Sequence, residues 1–435
     1  MNCNTSKDNY PKVLVISNNS FSKTDSNGRT LGNLFIGWPK DRIAQFCVSS
    51  DGADFDICEN YYCMTDSEVL NARLHFSKAK KNEIKPTSEK KEAVGERGQG
   101  KKDVIRMLVR DLLWHKDVWY TKEFRAWIDE FAPEIILVLY SDSAFILDMA
   151  TFLSKRLDVP LIMYSTEGYY FFKGNYFRNK SRLNNLILPL YQWRYKKHVE
   201  KMMSRVSRSM YLNDMLQEDY NKRFNDKSIV LYTTSTVEPT ERLFDKDNLQ
   251  FSYIGNMTFG RPKALLEIAD VLQEINPKWQ LTVYGKPLKD EDKELLKNHP
   301  GIAFKGFVGY DEVQRVVKES NVLFHAESQD QLWHESLKYG FSTKMADSIS
   351  SGSCFVLYAS PEIACSRYII ETGAGWFADS KEGLKRALEE ILYSDERRQT
   401  VLKTARQIAR NNHSASNNCQ KFRQIICDSV KSNKE

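Results

Sequence analysis

The sequence predicts an α/β protein made of two doubly wound, Rossmann-like domains facing a cleft, and three observations carry that prediction. At 435 residues the chain exceeds what one hydrophobic core usually supports. Short Val/Ile/Leu-rich runs recur along it between polar turns, as strands buried on both faces do. Helical periodicity fills the stretches between these runs, and such alternation makes a parallel sheet with right-handed crossovers.

Taken in order, KVLVISNN at 12–19 reads as a buried strand, FSKTDSNGRT as a Ser/Asn/Gly-rich loop and LGNLFIGW as an apolar stretch behind it. AQFCVSS at 44–50, EIILVLY at 134–140 and VPLIMYS at 159–165 read as further core strands. Between the last two, FILDMATFLSKRL sets Ile146, Met149, Leu153 and Leu157 on one helical face. Residues 77–102 are Lys/Glu/Gly-rich with almost no large apolar side chain and read as a flexible surface insertion. Asp103 to Phe131 is amphipathic, with Trp114, Trp119, Phe124 and Trp127 available for burial.

A second α/β series starts near residue 250, with FSYIGNM, QLTVYGK, IAFKGFV, VLFHAES and CFVLYAS as strands and ALLEIADVLQEI as a helix. The polar stretch 233–249 is the expected linker. The expected organisation is therefore a first domain over 1–235, a second over 236–415, and a final helix within 416–435 returning to the first.

The composition, 41% hydrophobic and 28% charged, is that of an ordinary globular protein, and a net charge of +6 over this length gives no argument for nucleic acid. Cys3, Cys47, Cys58, Cys63, Cys354, Cys365, Cys419 and Cys427 show no zinc-site spacing and read as reduced, structural residues. The polar N-terminus reads as neither signal peptide nor anchor, and no apolar run approaches the roughly 20 residues that span a bilayer. A cytoplasmic protein is expected. Residues 178–208 interleave nine Lys/Arg and one Glu with Leu, Ile, Tyr and Trp. That stretch reads either as a packed surface helix or as a peripheral element at the inner face of the plasma membrane.

Gly95 to Lys102, GERGQGKK, imitates a nucleotide-hydrolase phosphate loop but has Lys102 where magnesium needs a hydroxyl, and no strand precedes it. The chemistry lies elsewhere. In KYGFSTKMADSISSGSCFVLY, a helix start at Ser342, Thr343 and Lys344 offers free N–H groups, hydroxyls and a cation, which suits a pyrophosphate. Asp347, one turn on, suits a ribose diol. An ordinary solvated helix start reads the same residues without a ligand. In YIGNMTFGRPK, Gly255, Asn256, Arg261 and Lys263 surround a glycine turn at the opening of another helix.

Together these segments resemble the donor-binding domain of GT-B glycosyltransferases, especially the retaining family 4 type of polysaccharide assembly. The residues that carry the resemblance are YIGN at 253–256, Gly260–Arg261, HAES at 325–328, FSTK at 341–344, Asp347 and Pro361–Ala364. The resemblance implies Arg261 as a catalytic cation on the departing diphosphate and Asp347 on the donor ribose; Asn256 stands where the family has Arg, and Lys344 is expected to supply the missing catalytic charge. Tyr339 replaces the Glu that usually touches the donor sugar, so Glu327 or Glu335 is expected there instead. On the acceptor side it implies Asn27, Gly28, Arg29 and Thr30 after the first strand, and Asp142 and Glu167 at later strand ends, where surface carboxylates are the plain alternative. It further implies retention of configuration, no cofactor or metal, a nucleotide-sugar donor (UDP-linked on family frequency) and a saccharide or lipid-linked acceptor. A sugar-nucleotide epimerase or hydrolase, and a non-catalytic sugar-nucleotide or anionic-polymer binding protein, are the rival readings.

Overall fold

The computed structural model describes residues 10–23, 26–49, 52–82, 103–177, 181–225, 227–287 and 289–433. The chain divides into two compact units, Met1–Leu231 with Cys419–Glu435, and Tyr232–Asn418.

The first unit is built on a seven-stranded parallel sheet. Its strands are β1 (Val13–Ile16), β2 (Ile43–Cys47), β3 (Asn60–Cys63), β4 (Ile135–Leu139), β5 (Leu161–Ser165), β6 (Val206–Tyr211) and β7 (Ser228–Val230), in the order β3-β2-β1-β4-β5-β6-β7. Every residue of β1, β2, β4 and β5 is buried, as their apolar runs require of strands covered on both faces. The strand order reverses at β1 and β4, which opens a crevice at their C-terminal ends.

The second unit repeats the plan with six strands. They are β8 (Phe251–Ile254), β9 (Leu281–Tyr284), β10 (Ile302–Gly306), β11 (Val322–Ala326), β12 (Cys354–Tyr358) and β13 (Trp376–Ala378), in the order β10-β9-β8-β11-β12-β13. The reversal here falls between β8 and β11.

Four local expectations change. The stretch around Asn27–Gly28–Arg29–Thr30 is not a loop but part of a helix, Ser26–Asn33. A Cβ on Gly28 would come within 2.4 Å of the Ser20 carbonyl oxygen, so only glycine lets this helix start against the loop before it. Of the insertion 77–102, residues 77–82 pack: Ala79 is buried and the Asn82 N–H donates to the Cys63 carbonyl at 2.8 Å. The remainder of that insertion, GERGQGKK included, lies outside the described residues. The basic stretch 178–208 forms one helix, Arg182–Met203, and then turns into β6 from Val206, because that segment pairs with β5. Finally, 233–249 is held to the second unit throughout. The Arg242 guanidinium donates to the Ser320 and Glu319 carbonyls at 2.7 and 2.6 Å, and the Thr240 N–H donates to Ser350 O.

The last helix, Ala415–Ser432, contributes its residues from Cys419 onward to the first unit, where Phe422 meets Phe35 edge-on at 5.0 Å and Arg423 covers Tyr10. The seven described cysteines are all free, and burial pushes the Cys58 and Cys354 thiols up to about 12, which makes them poor nucleophiles.

Candidate active site

In the second unit the β8 strand ends in a glycine turn. The Gly255 N–H donates to Tyr284 O at 3.0 Å, and Asn256 folds back so that its Oδ1 accepts from the Thr258 N–H at 2.9 Å. Gly260, at φ 74°, then caps the helix Arg261–Ile275, with Pro262 in its first turn. Lys263 on that turn is exposed.

Arg261 does not stand alone. Its Nε and Nη2 donate to Glu327 Oε2 and Oε1 at 2.8 and 2.7 Å, a two-pronged pair bridging the β8 and β11 ends. His325 Nε2 lies 3.0 Å from Glu327 Oε1. Burial opposes the Glu327 charge, but Arg261 and His325 outweigh it and hold the carboxyl down to about 2. The Arg261 charge is therefore matched by its own carboxylate. Its third nitrogen, Nη1, points to Thr258 Oγ1 at 3.3 Å and Asn256 O at 3.4 Å, so it also braces the glycine turn.

Across β11, the helix Thr343–Ser350 starts where expected: Ser342 is its cap, with Oγ accepting from the Lys344 N–H at 3.2 Å. Lys344 is half-buried and lines a cavity of about 10 Å³ with His325, Asp347 and Ser348, room for about one water. Asp347 is buried. Its Oδ1 accepts from the Thr236 N–H at 2.8 Å, Ser235 Oγ at 3.0 Å and Thr236 Oγ1 at 3.2 Å. It thus anchors the segment that opens this unit, a role the motif alone did not show. Tyr339 is buried, with the Lys338 ammonium donating to its hydroxyl at 2.8 Å, and Glu335 is exposed on the helix Gln331–Leu337.

The structure therefore gathers Gly255, Asn256, Arg261, Glu327, Ser342, Thr343, Lys344 and Asp347 at the β8/β11 ends. It adds His325 of the HAES segment, which lines the same cavity as Lys344 and meets Glu327. Among the described residues, no group of three or more His, Cys, Asp and Glu could hold a metal ion.

In the first unit, Asp142 and Glu167 follow β4 and β5. Asp142 is buried, with the Tyr191 hydroxyl donating to its carbonyl at 3.1 Å. Glu167 is half-buried. Burial, reinforced by the Asp142 charge, raises its carboxyl to about 7. Arg110, unremarked in the sequence, ties the two loops at the strand reversal, donating to Ser143 Oγ at 2.7 Å and Asn18 Oδ1 at 3.4 Å. In the helix Ser26–Asn33, Asn27 is exposed, Arg29 half-buried and Thr30 buried.

A raised carboxyl makes stability depend on pH in a definite direction. The stabilisation is complete below the ordinary Glu value and is lost as pH rises through about 7. Glu167→Gln should therefore make the melting temperature of the first unit less sensitive between pH 5.5 and 8, with a relative gain at the alkaline end of about 2 kcal/mol after allowance for partial exposure. Parallel pH–melting curves for wild type and variant would show that Glu167 does not titrate in this range.

Two parallel doubly wound sheets, each with its polar residues at the reversal point, define a GT-B architecture. Residues 261–424 match the family described as glycosyl transferase-like. Over the whole chain the fold is that of HepE from Anabaena, solved in complex with UDP, at 12% identity and a TM-score of 0.59, covering 97% of this chain and 100% of that one. It is likewise that of sucrose-phosphate synthase from Thermosynechococcus elongatus, at 11% identity and 0.62, over 97% and 100%. The lipopolysaccharide outer core galactosyltransferase WaaB, in its apo form, gives 13% and 0.58 over 96% and 99%. No curated protein matches the sequence significantly. The second unit thus carries a glycosyl transferase-like domain, and the chain has the GT-B fold.

Proposed function

We propose that the enzyme moves a glycosyl group from a UDP-sugar to a saccharide or lipid-linked saccharide in cell-surface polysaccharide assembly, with retention and without a metal or cofactor. The observation that carries the donor half is the cavity at the β8/β11 ends, where Lys344 and Asp347 from the start of Thr343–Ser350 line one space with His325, itself joined through Glu327 to Arg261 at the start of Arg261–Ile275. HepE, which shares the fold, is a UDP complex.

In this reading the diphosphate lies against Ser342, Thr343 and Lys344, with Lys263 at the neighbouring helix start. Asp347 serves the ribose while its Oδ1 stays committed to Ser235 and Thr236. As the bond from the anomeric carbon to the diphosphate oxygen breaks, negative charge grows on the leaving group, where fixed N–H groups and an ammonium stabilise it without rearrangement. The acceptor hydroxyl oxygen bonds to that carbon on the same face, and its proton passes to the departing diphosphate. Arg261, already neutralised by Glu327, contributes mainly by holding the glycine turn. Asp142 and Glu167 are assigned to the acceptor: Asp142 accepts from a hydroxyl, and Glu167 donates below pH 7.

A thermal-shift panel of UDP, GDP, ADP and CMP tests the donor half. UDP should raise the melting temperature of wild type, and Lys344→Ala should lose most of that shift. Asp347→Asn is the proper companion because it keeps an acceptor oxygen for the 235–236 segment, which Asp347→Ala would remove. A chain that responds to none of the four, nor to intact UDP-sugars, would refute the donor assignment. Acceptor-dependent release of UDP would separate transfer from hydrolysis.

A further inference from the structure

Among the described residues, the non-glycine positions with a left-handed backbone are Phe76, Ala132, Asp158, Asn225 and Phe259. Ala132, Asp158 and Asn225 close helices, where that conformation is common, and Phe76 comes just after the cap of Asp66–Leu74. Phe259 instead stands before a helix. Its φ is 57° and that of Gly260 is 74°, and the Arg261 N–H donates back to Thr258 O at 3.3 Å. These four residues make a turn with both central residues left-handed, which favours Asn or Gly at the position Phe259 takes. A bulky aromatic there is strained, and burial does not offset the strain, because the side chain is 39% exposed.

The ring stands beside the candidate site. Trp333, from the segment after β11, meets it edge-on at 5.7 Å, and the Arg261 guanidinium lies 5.8 Å from its centre. The two segments press together at Gly260, where a Cβ would come within 2.8 Å of both Trp333 Nε1 and Ser328 Oγ. The carboxylate of this corner is already committed: Glu327 accepts from Arg261 through both oxygens and has His325 against Oε1. What the corner adds for a ligand is aromatic surface, with Phe259 exposed and Trp333 half-buried.

We infer that Phe259, with Trp333 beside it, holds the sugar of the donor by stacking against the C–H face of its pyranose ring. This rests on the donor reading above, which sets the diphosphate by Lys344 and by Lys263, two residues past the turn. The sugar is bonded directly to the diphosphate. Uracil, the other flat group of the donor, is a ribose further away, and the ribose is assigned to Asp347 across β11. A pyranose carries hydroxyls around its rim and C–H groups on its faces, so a flat apolar side chain fits the face. The strain then has a use: the turn gives up stability to keep one ring at the surface beside the site.

The test compares isothermal titrations of UDP, UDP-glucose, UDP-galactose and UDP-N-acetylglucosamine into the full chain, Phe259→Asn and Phe259→Tyr. Asn suits the turn, so Phe259→Asn should melt about 2–4 °C above wild type. It should bind UDP within about twofold of wild type, and the UDP-sugar that wild type prefers about fivefold more weakly. Phe259→Tyr keeps a ring and should keep both affinities. An equal loss for UDP and UDP-sugar would assign the ring to the nucleoside or to the turn and overturn the inference. So would an Asn variant that binds every UDP-sugar as wild type does, or that melts more than about 2 °C below it. A chain that takes UDP but none of the three UDP-sugars overturns this inference and leaves the donor reading standing. One that takes none of the four ligands refutes both.

Discussion

Replacing Arg261 with Met is expected to destabilise the second unit by about 3–5 kcal/mol, because it leaves Glu327 buried without its partner. The pair is two-pronged, at 2.8 and 2.7 Å, and the two side chains are only 13% and 7% exposed. Breaking it from one side should cost far more than removing it whole, so Arg261→Met with Glu327→Gln should recover much of the loss. Denaturant unfolding of wild type, both single variants and the double variant gives the coupling directly. A single-variant loss below about 1 kcal/mol would mean that the carboxylate finds water or another donor.

The acid limb supplies an independent check. With its carboxyl held near 2 rather than 4.5, Glu327 contributes stability that is present above pH 4.5 and lost as pH falls through about 2, on the order of 3 kcal/mol. In Arg261→Met the sign should reverse. Burial then favours the protonated acid, and the variant should regain stability relative to wild type as pH drops from 7 toward 5. Functionally, the same substitution frees the turn that Nη1 braces, so the UDP response should weaken along with the fold.

Gly285→Ala is expected to be the most damaging single methyl in the same unit. Gly285 follows β9 at φ 149°, in the region that favours glycine, and a Cβ there would sit 2.1 Å from the Gly255 carbonyl oxygen. Both neighbours are pinned: the Gly285 N–H donates to Gly306 O at 2.8 Å, and the Gly255 N–H to Tyr284 O. The clash is with backbone, so no side chain can swing away. Strain and overpacking together should cost on the order of 4 kcal/mol and lower the melting temperature by about 10 °C. Lys263→Ala, on the exposed first turn beyond the loop, serves as the control and should melt as wild type does. If Gly285→Ala also melts as wild type does, the β8 and β9 turns are not held as tightly as these hydrogen bonds require.

The elements legible from sequence were those whose residues answer to burial on two faces. VLVI, IILVL, LIMYS and CFVLY could be little else, and each is wholly buried in its sheet. NYYC, VSRSMY, SIV and WFA carry no such signal, although each is a strand. β3, β7 and β13 are edge strands of three or four residues, too short for any periodicity, and exist because a neighbour offers its hydrogen-bonding edge. β6 carries Ser and Arg where its side chains are only partly buried, so its pattern merged with the basic helix before it.

The site divides the same way. Residue types announced chemistry locally: a cation at a helix start, a glycine turn, carboxylates after strands. Their partners were decided by the fold. Arg261 and Glu327 are 66 residues apart and Asp347 and Thr236 are 111 apart, so no local spacing could announce either pair. By itself, then, the sequence determined two doubly wound sheets and most of the polar groups at their reversal points, because periodic burial and strand-end position are local properties. Only the tertiary structure decided that Arg261 is neutralised, that Asp347 anchors a distant segment, and that the Phe259 ring stands at the surface. Charge compensation and exposure depend on what else the chain brings alongside.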